Sequence, residues 1–96
     1  MNFRFTSAAY RELTAAVEYY ESQQPGLADR FLSAVEDTAE RIKRHPEMWA
    51  RVSPRVRRCF VHRFPFALLY DATAEEIQII SVADLRRDPQ RWEHLL

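Results

Sequence analysis

Between Arg55 and Ala83 the chain carries three strand-like runs with very little between them, and this spacing limits the possible folds more than any other feature. The runs are Arg55–Arg63, Phe66–Ala72 and Ile77–Ala83, joined by Phe64-Pro65 and Thr73–Glu76. A parallel pair needs a crossover of roughly a dozen residues, so links this short make the neighbouring runs antiparallel hairpins. Ile77 to Val82 is apolar on both faces apart from Gln78 and Ser81, as expected of a central strand.

The first half reads differently. Met1–Thr6 alternates Phe3 and Phe5 with Asn2 and Arg4, which predicts a short half-buried strand. Thr6 or Ser7 then stands where a helix N-cap belongs. Ala9, Leu13, Ala16, Val17 and Tyr20 recur at helical spacing from Ala8 to about Ser22. Gln23-Gln24-Pro25-Gly26 breaks that helix, and Gly26 is the only glycine in the chain. A second helix presents Leu27, Phe31, Val35, Thr38, Ala39 and Ile42 on one face and stops at His45-Pro46. Trp49 lies in the loop that follows and is expected to anchor it on the core. Pro89 to Leu96 predicts a short C-terminal helical tail. The order is β-α-α-β-β-β, a single α+β domain with a helical hairpin on a mainly antiparallel sheet.

Bulk properties narrow the function. A chain of 96 residues with 47% hydrophobic side chains can build one modest core without staples. One cysteine, Cys59, leaves no internal disulfide and fits a reducing cytoplasm. No leader-like apolar run precedes Arg4 and none approaches a membrane span, so the expected location is cytoplasmic. Net charge is zero, yet Arg51, Arg55, Arg57, Arg58 and Arg63 occupy a stretch ending at Tyr70 without one carboxylate. Guanidinium forks suit phosphate and carboxylate partners. The same charges also suit a solvated edge strand protected against aggregation.

Candidate site residues cluster in the second half. Arg57, Arg58, Arg63, Arg86 and Arg87 are the available charges, with Tyr70 and Trp92 as aromatic neighbours. Successive strand residues point to opposite faces, so Arg57 and Arg58 share a surface only if a bulge intervenes, and the same holds for Arg86 and Arg87. His62 is the titratable group best placed for proton transfer. Asp84 is either a base or a partner that orders the turn by pairing with Arg86 or Arg87. Tyr70 reads as core with its hydroxyl on a rim partner. His45, His94 and Cys59 carry no catalytic role in this reading, and no metal-ligand spacing or cofactor motif occurs.

Taken in order, these motifs resemble the RelE/ParE superfamily of type II toxin–antitoxin toxins, also called plasmid stabilisation proteins. The resemblance rests on Glu12-Leu13, Tyr19-Tyr20-Glu21, Pro25-Gly26-Leu27 with Phe31, then Ile42 and Pro46. Its strongest part is Arg63-Phe64-Pro65-Phe66 with Tyr70, followed by Arg86-Arg87-Asp88-Pro89 and Trp92. RelE-like members are ribosome-dependent mRNA endonucleases, whereas ParE-like members inhibit DNA gyrase through protein contacts. RelE-like toxins tend to carry histidine where this chain has Asp84. That departure, the zero net charge and the lack of an acid–base pair place the chain closer to ParE.

The resemblance implies a cognate antitoxin as one partner and DNA gyrase as the target, with Arg57, Arg58, Arg63, Arg86, Arg87, Tyr70 and Trp92 as target-binding residues. Phe3, Phe31, Val35 and Ile42 are the expected antitoxin-binding stripe. In the mRNA endonuclease alternative, with the ribosome and its mRNA as partners, the catalytic set is Arg63, Asp84, Arg87 and His62. A third alternative is a non-toxic antitoxin-binding module.

Overall fold

The computed structural model describes residues 2–87, arranged as β1 (Asn2–Phe5), α1 (Ser7–Gln23), α2 (Leu27–Arg44), β2 (Arg57–Phe60), β3 (Phe66–Ala72) and β4 (Glu76–Asp84). The predicted tail, with Trp92, lies outside the described residues. The Thr6 hydroxyl caps α1 by accepting from the Ala9 amide at 3.2 Å. At Gly26 the backbone takes φ +87° to start α2, an angle that costs any residue with a Cβ.

The four strands run in the order β1-β4-β3-β2, with β1 parallel to β4 and both other pairs antiparallel. β3 has its expected span, and β4 exceeds its expected span by one residue at each end. β2 is shorter than the expected Arg55–Arg63, for a local reason at each end. The Val52 and Ser53 amides both donate to the Val56 carbonyl and close a loop around Pro54 before pairing starts. After Phe60 the chain turns through Val61–Pro65, where Arg63 adopts φ +69°.

Both helices lie on one face of the sheet. Their inner side chains Ala9, Ala16, Tyr20, Phe31, Val35 and Ile42 meet Cys59, Leu68, Tyr70, Ile77, Ile79 and Val82. Tyr20, Phe31, Phe64 and Phe66 form an aromatic knot of edge-to-face pairs with Tyr20 and Phe31 tilted against each other, with centroids 5.0–6.1 Å apart. This corrects the expected antitoxin stripe. Phe31, Val35 and Ile42 are buried in this core, and Phe3 packs half-buried against it. A domain this small needs the whole apolar stripe of α2 to cover its sheet, each such side chain contributing about 1.5–3 kcal/mol by burial.

The sheet edges are treated unequally. The outer edge of β2 is covered by the loop before it, through Arg58 N to Ala50 O at 2.9 Å and the Arg51–Arg57 bridge. β1 pairs with β4 only as far as Phe5 opposite Ile79, and Thr6 N closes on Ile79 O. The chain then leaves for α1, so among the described residues β4 from Ile80 to Asp84 has no strand on that side.

Candidate functional site

α1 runs beside this open stretch of β4 and leaves a groove of about 430 Å³. Glu12, Ala15, Ala16 and Tyr19 form one wall; Phe66, Val82 and Ala83 line it opposite, and Asp84, Arg86 and Arg87 close one end. The alanines keep the groove open, and the 12, 15, 16, 19 spacing puts all four side chains on one helix face. Glu12 Oε1 accepts from the Ser81 hydroxyl and from the Val82 amide, each at 3.0 Å. A carboxylate from α1 therefore satisfies a β4 donor that a fifth strand would otherwise take.

The charged end is tightly ordered. Arg86 donates from Nε and Nη2 to the two Asp84 oxygens at 3.0 and 2.9 Å, and its amide adds a third bond to Oδ1. Arg87 Nε stands 3.5 Å from Oδ2. The Arg86 guanidinium also lies over the rings of Tyr19 and Phe66, 5.3 and 5.9 Å from their centroids. Burial by itself would raise the Asp84 carboxyl; the Arg86 hydrogen bonds and the charges of Arg86 and Arg87 outweigh it and hold the group below its ordinary value. Asp84 is thus an ionised partner that orders the turn, and a weak proton acceptor at neutral pH.

The expected target-binding arginines do not gather in one place. Leu85 N donates to Pro65 O at 2.8 Å, which sets the turn holding His62 and Arg63 beside the Asp84–Arg87 turn. Arg57 is elsewhere. It pairs with Tyr70, four residues along β3 from the Phe66 that faces Asp84, a separation of about 13 Å. Its Nη1 is tied to Trp49 O at 2.8 Å. Arg58 lies on the sheet face away from α1 and α2, over the Phe60 ring at 4.7 Å. Tyr70 is fully buried and donates to Pro46 O at 2.6 Å, and burial pushes its hydroxyl up to about 12 despite Arg57. It is a core residue with its hydroxyl on a rim carbonyl, and no base can stack on it here.

Trp49 anchors its loop as expected: its Nε1 donates to Arg41 O and the Arg41 guanidinium lies over its ring at 5.6 Å. Cys59 is buried, and that burial raises its thiol. Among the described residues no three His, Cys, Asp or Glu side chains come together as a metal-ligand set, and no helix is long and apolar enough to cross a membrane. Sequence reasoning passed over the groove role of Glu12, Ala15 and Tyr19. Their common helical spacing was readable, but the absence of a strand beside them was not.

Nine solved chains match this one in structure. One of them, from the chromosomal ParDE TA system of P. aeruginosa, superposes with a TM-score of 0.66 at 24% identity, over 88% of this chain and 96% of that one. At that identity the likeness speaks for the fold. No match is found among curated proteins. The family model for the ParE toxin of the type II toxin–antitoxin system, parDE, matches residues 3–89, nearly the whole chain, and the protein belongs to that family.

Proposed function

We propose that this ParE-family toxin arrests growth by binding DNA gyrase as a protein ligand, in the cytoplasm, and that its cognate antitoxin neutralises it from the α1–β4 groove. The observation that carries the reading is the open stretch of β4 beside that groove. An extended segment laid there would gain main-chain hydrogen bonds from the edge and apolar contact with Tyr19, Phe66 and Val82. Arg86 and Arg87 at its end, each more than a third exposed, suit an acidic side chain on the incoming segment.

The same geometry weighs against the mRNA endonuclease. Cleavage through a 2′-hydroxyl needs a proton acceptor and a proton donor beside the arginines. Asp84, the acceptor candidate, is committed to Arg86 and held below its ordinary value, a weak acceptor even though the adjoining turn brings His62 and Arg63 to the same end of the sheet.

Pulse-labelling of DNA and protein synthesis directly after induction of the toxin alone tests the proposal. Early loss of DNA synthesis with translation intact is the expected result. Translation failing first would put the ribosome in place of gyrase and return attention to Arg63, Asp84 and Arg87. No effect on either would make the chain an inert antitoxin-binding module.

A further inference from the structure

A second cleft, of about 450 Å³, lies between Pro46-Glu47, the turn from Arg51 to Arg57 and the β3–β4 hairpin at Asp71–Ala74. β3 connects it to the groove: Phe66 lines the groove and Ala72 the cleft, about 20 Å apart along the strand. The cleft is therefore separate from the Arg86–Arg87 end of the molecule.

Backbone pairing sets its arginines. Val52 N donates to Val56 O at 2.8 Å and Arg58 N to Ala50 O at 2.9 Å. These bonds flank the Arg51–Arg57 bridge and make it a non-hydrogen-bonded antiparallel pair, the closest kind, with Cα atoms about 4.5 Å apart and both side chains on one face. Like charges directly opposite each other work against such a pairing. Arg57 is also held in place, since its Nη1 donates to Trp49 O at 2.8 Å and Trp49 is itself fixed on Arg41 O. That bond uses one of several guanidinium N–H groups. Among the described residues neither Arg51 nor Arg57 has a carboxylate within ion-pair distance. Asp71 lines the same cleft but is engaged by Arg55 at 3.1 Å. Arg51 is exposed and Arg57 half-buried, so the pair reaches from solvent into a partly desolvated site where a charge-assisted hydrogen bond gains strength.

From this we infer that the cleft binds a carboxylate between Arg51 and Arg57, the Asp or Glu side chain of an acidic segment of gyrase. The inference rests on the reading of the chain as a gyrase ligand and names a contact for it. A carboxylate seated there replaces one repulsion with two attractions, and the guanidinium fork suits its two oxygens. A nucleic-acid ligand fits less well. Glu47 and Asp71 also line the cleft and oppose a run of phosphates, whereas a single carboxylate needs only the arginine pair. The zero net charge offers a polyanion no long-range attraction. A gyrase interface of standard size, roughly 800 Å² on each partner, is wide enough to take in both the cleft and the Asp84–Arg87 turn.

The test uses the full chain with purified DNA gyrase and, separately, the antitoxin and a short DNA duplex as probes. Arg51→Gln should weaken gyrase binding about tenfold and Arg51→Glu further, with Arg51→Lys in between because it keeps the charge and loses the fork. Arg57→Lys, which retains a donor for Trp49 O, should also weaken it. Asp71→Asn should strengthen it about threefold, because it removes a negative charge from the cleft and releases Arg55; a merely structural role for these residues predicts no gain. Thermal melting close to wild type for the Arg51 variants would show that the fold is intact. If wild type and all variants bind gyrase alike, the cleft is overturned while the gyrase reading stands. If wild type binds no gyrase at all, that reading falls and the assignment of the cleft with it. Loss of antitoxin affinity or of duplex binding in the variants, with gyrase binding unaffected, would overturn the assignment in favour of the antitoxin or of nucleic acid.

Discussion

Asp84 holds two arginines with one carboxylate, and that arrangement has a measurable pH signature. Its side chain is only 14% exposed, so the pair is less screened than a surface ion pair. The folded carboxyl sits below its ordinary value, so the contribution is present above the unfolded value of about 3.9 and is lost as pH falls through the folded value. Asp84→Asn should therefore lower stability by about 1 kcal/mol at pH 7, or about 4–8 °C in Tm. The difference from wild type should shrink below about pH 4. Thermal melts of both proteins from pH 7 to pH 3 check this. A gap that stays constant across the range would mean that shape, and not charge, holds the turn. Residue-level chemistry was readable here because Asp84 and Arg86 are near neighbours in sequence. Tyr70 was readable too, since its apolar surroundings mark it as core.

The pairing of α1 with β4 works through Glu12, and it separates two accounts of how an antitoxin would bind. In the free toxin Glu12→Ala leaves the Val82 amide and the Ser81 hydroxyl without their partner, a loss of about 1–3 kcal/mol. Glu12→Gln keeps an acceptor oxygen and should lose less. If an extended antitoxin segment pairs with β4, its own carbonyl satisfies the Val82 amide, and Glu12→Ala should bind the antitoxin at least as tightly as wild type. Calorimetric titration distinguishes the outcomes: an affinity reduced in step with the stability loss would mean that the segment does not pair there. Most elements were legible because their periodicities are local. β3 had its span from apolar content, and both helices fell within about a residue of their caps and breakers. The parallel seat of β1 on β4 is a long-range pairing and carries no local signal. The stripe on α2 shows that Phe31, Val35 and Ile42 are buried, but periodicity does not say whether the chain's own sheet or a partner covers them.

On the scale of the whole molecule, the groove and the sheet face away from α1 and α2 meet at the Asp84–Arg87 turn. Leu85 is exposed in that turn, while its neighbours Asp84 and Arg86 line the groove. A segment following the open edge of β4 toward Asp84 would arrive beside Leu85 and restrict access to it. If gyrase contacts this turn, neutralisation as proposed would follow from occupancy and would require no change of fold. The zero net charge fits this arrangement, since specificity would come from local patches and not from a long-range field. The expected outcome is mutual exclusion. Added antitoxin should release toxin from purified gyrase, with the apparent gyrase affinity falling in proportion to free antitoxin above its Kd. At a hundredfold excess over Kd the antitoxin should also stabilise the toxin by about 2.7 kcal/mol, seen as a rise in Tm. Size-exclusion chromatography of the three components together decides the point. A stable ternary complex of toxin, antitoxin and gyrase would sink the occlusion account even if both binary complexes form as proposed.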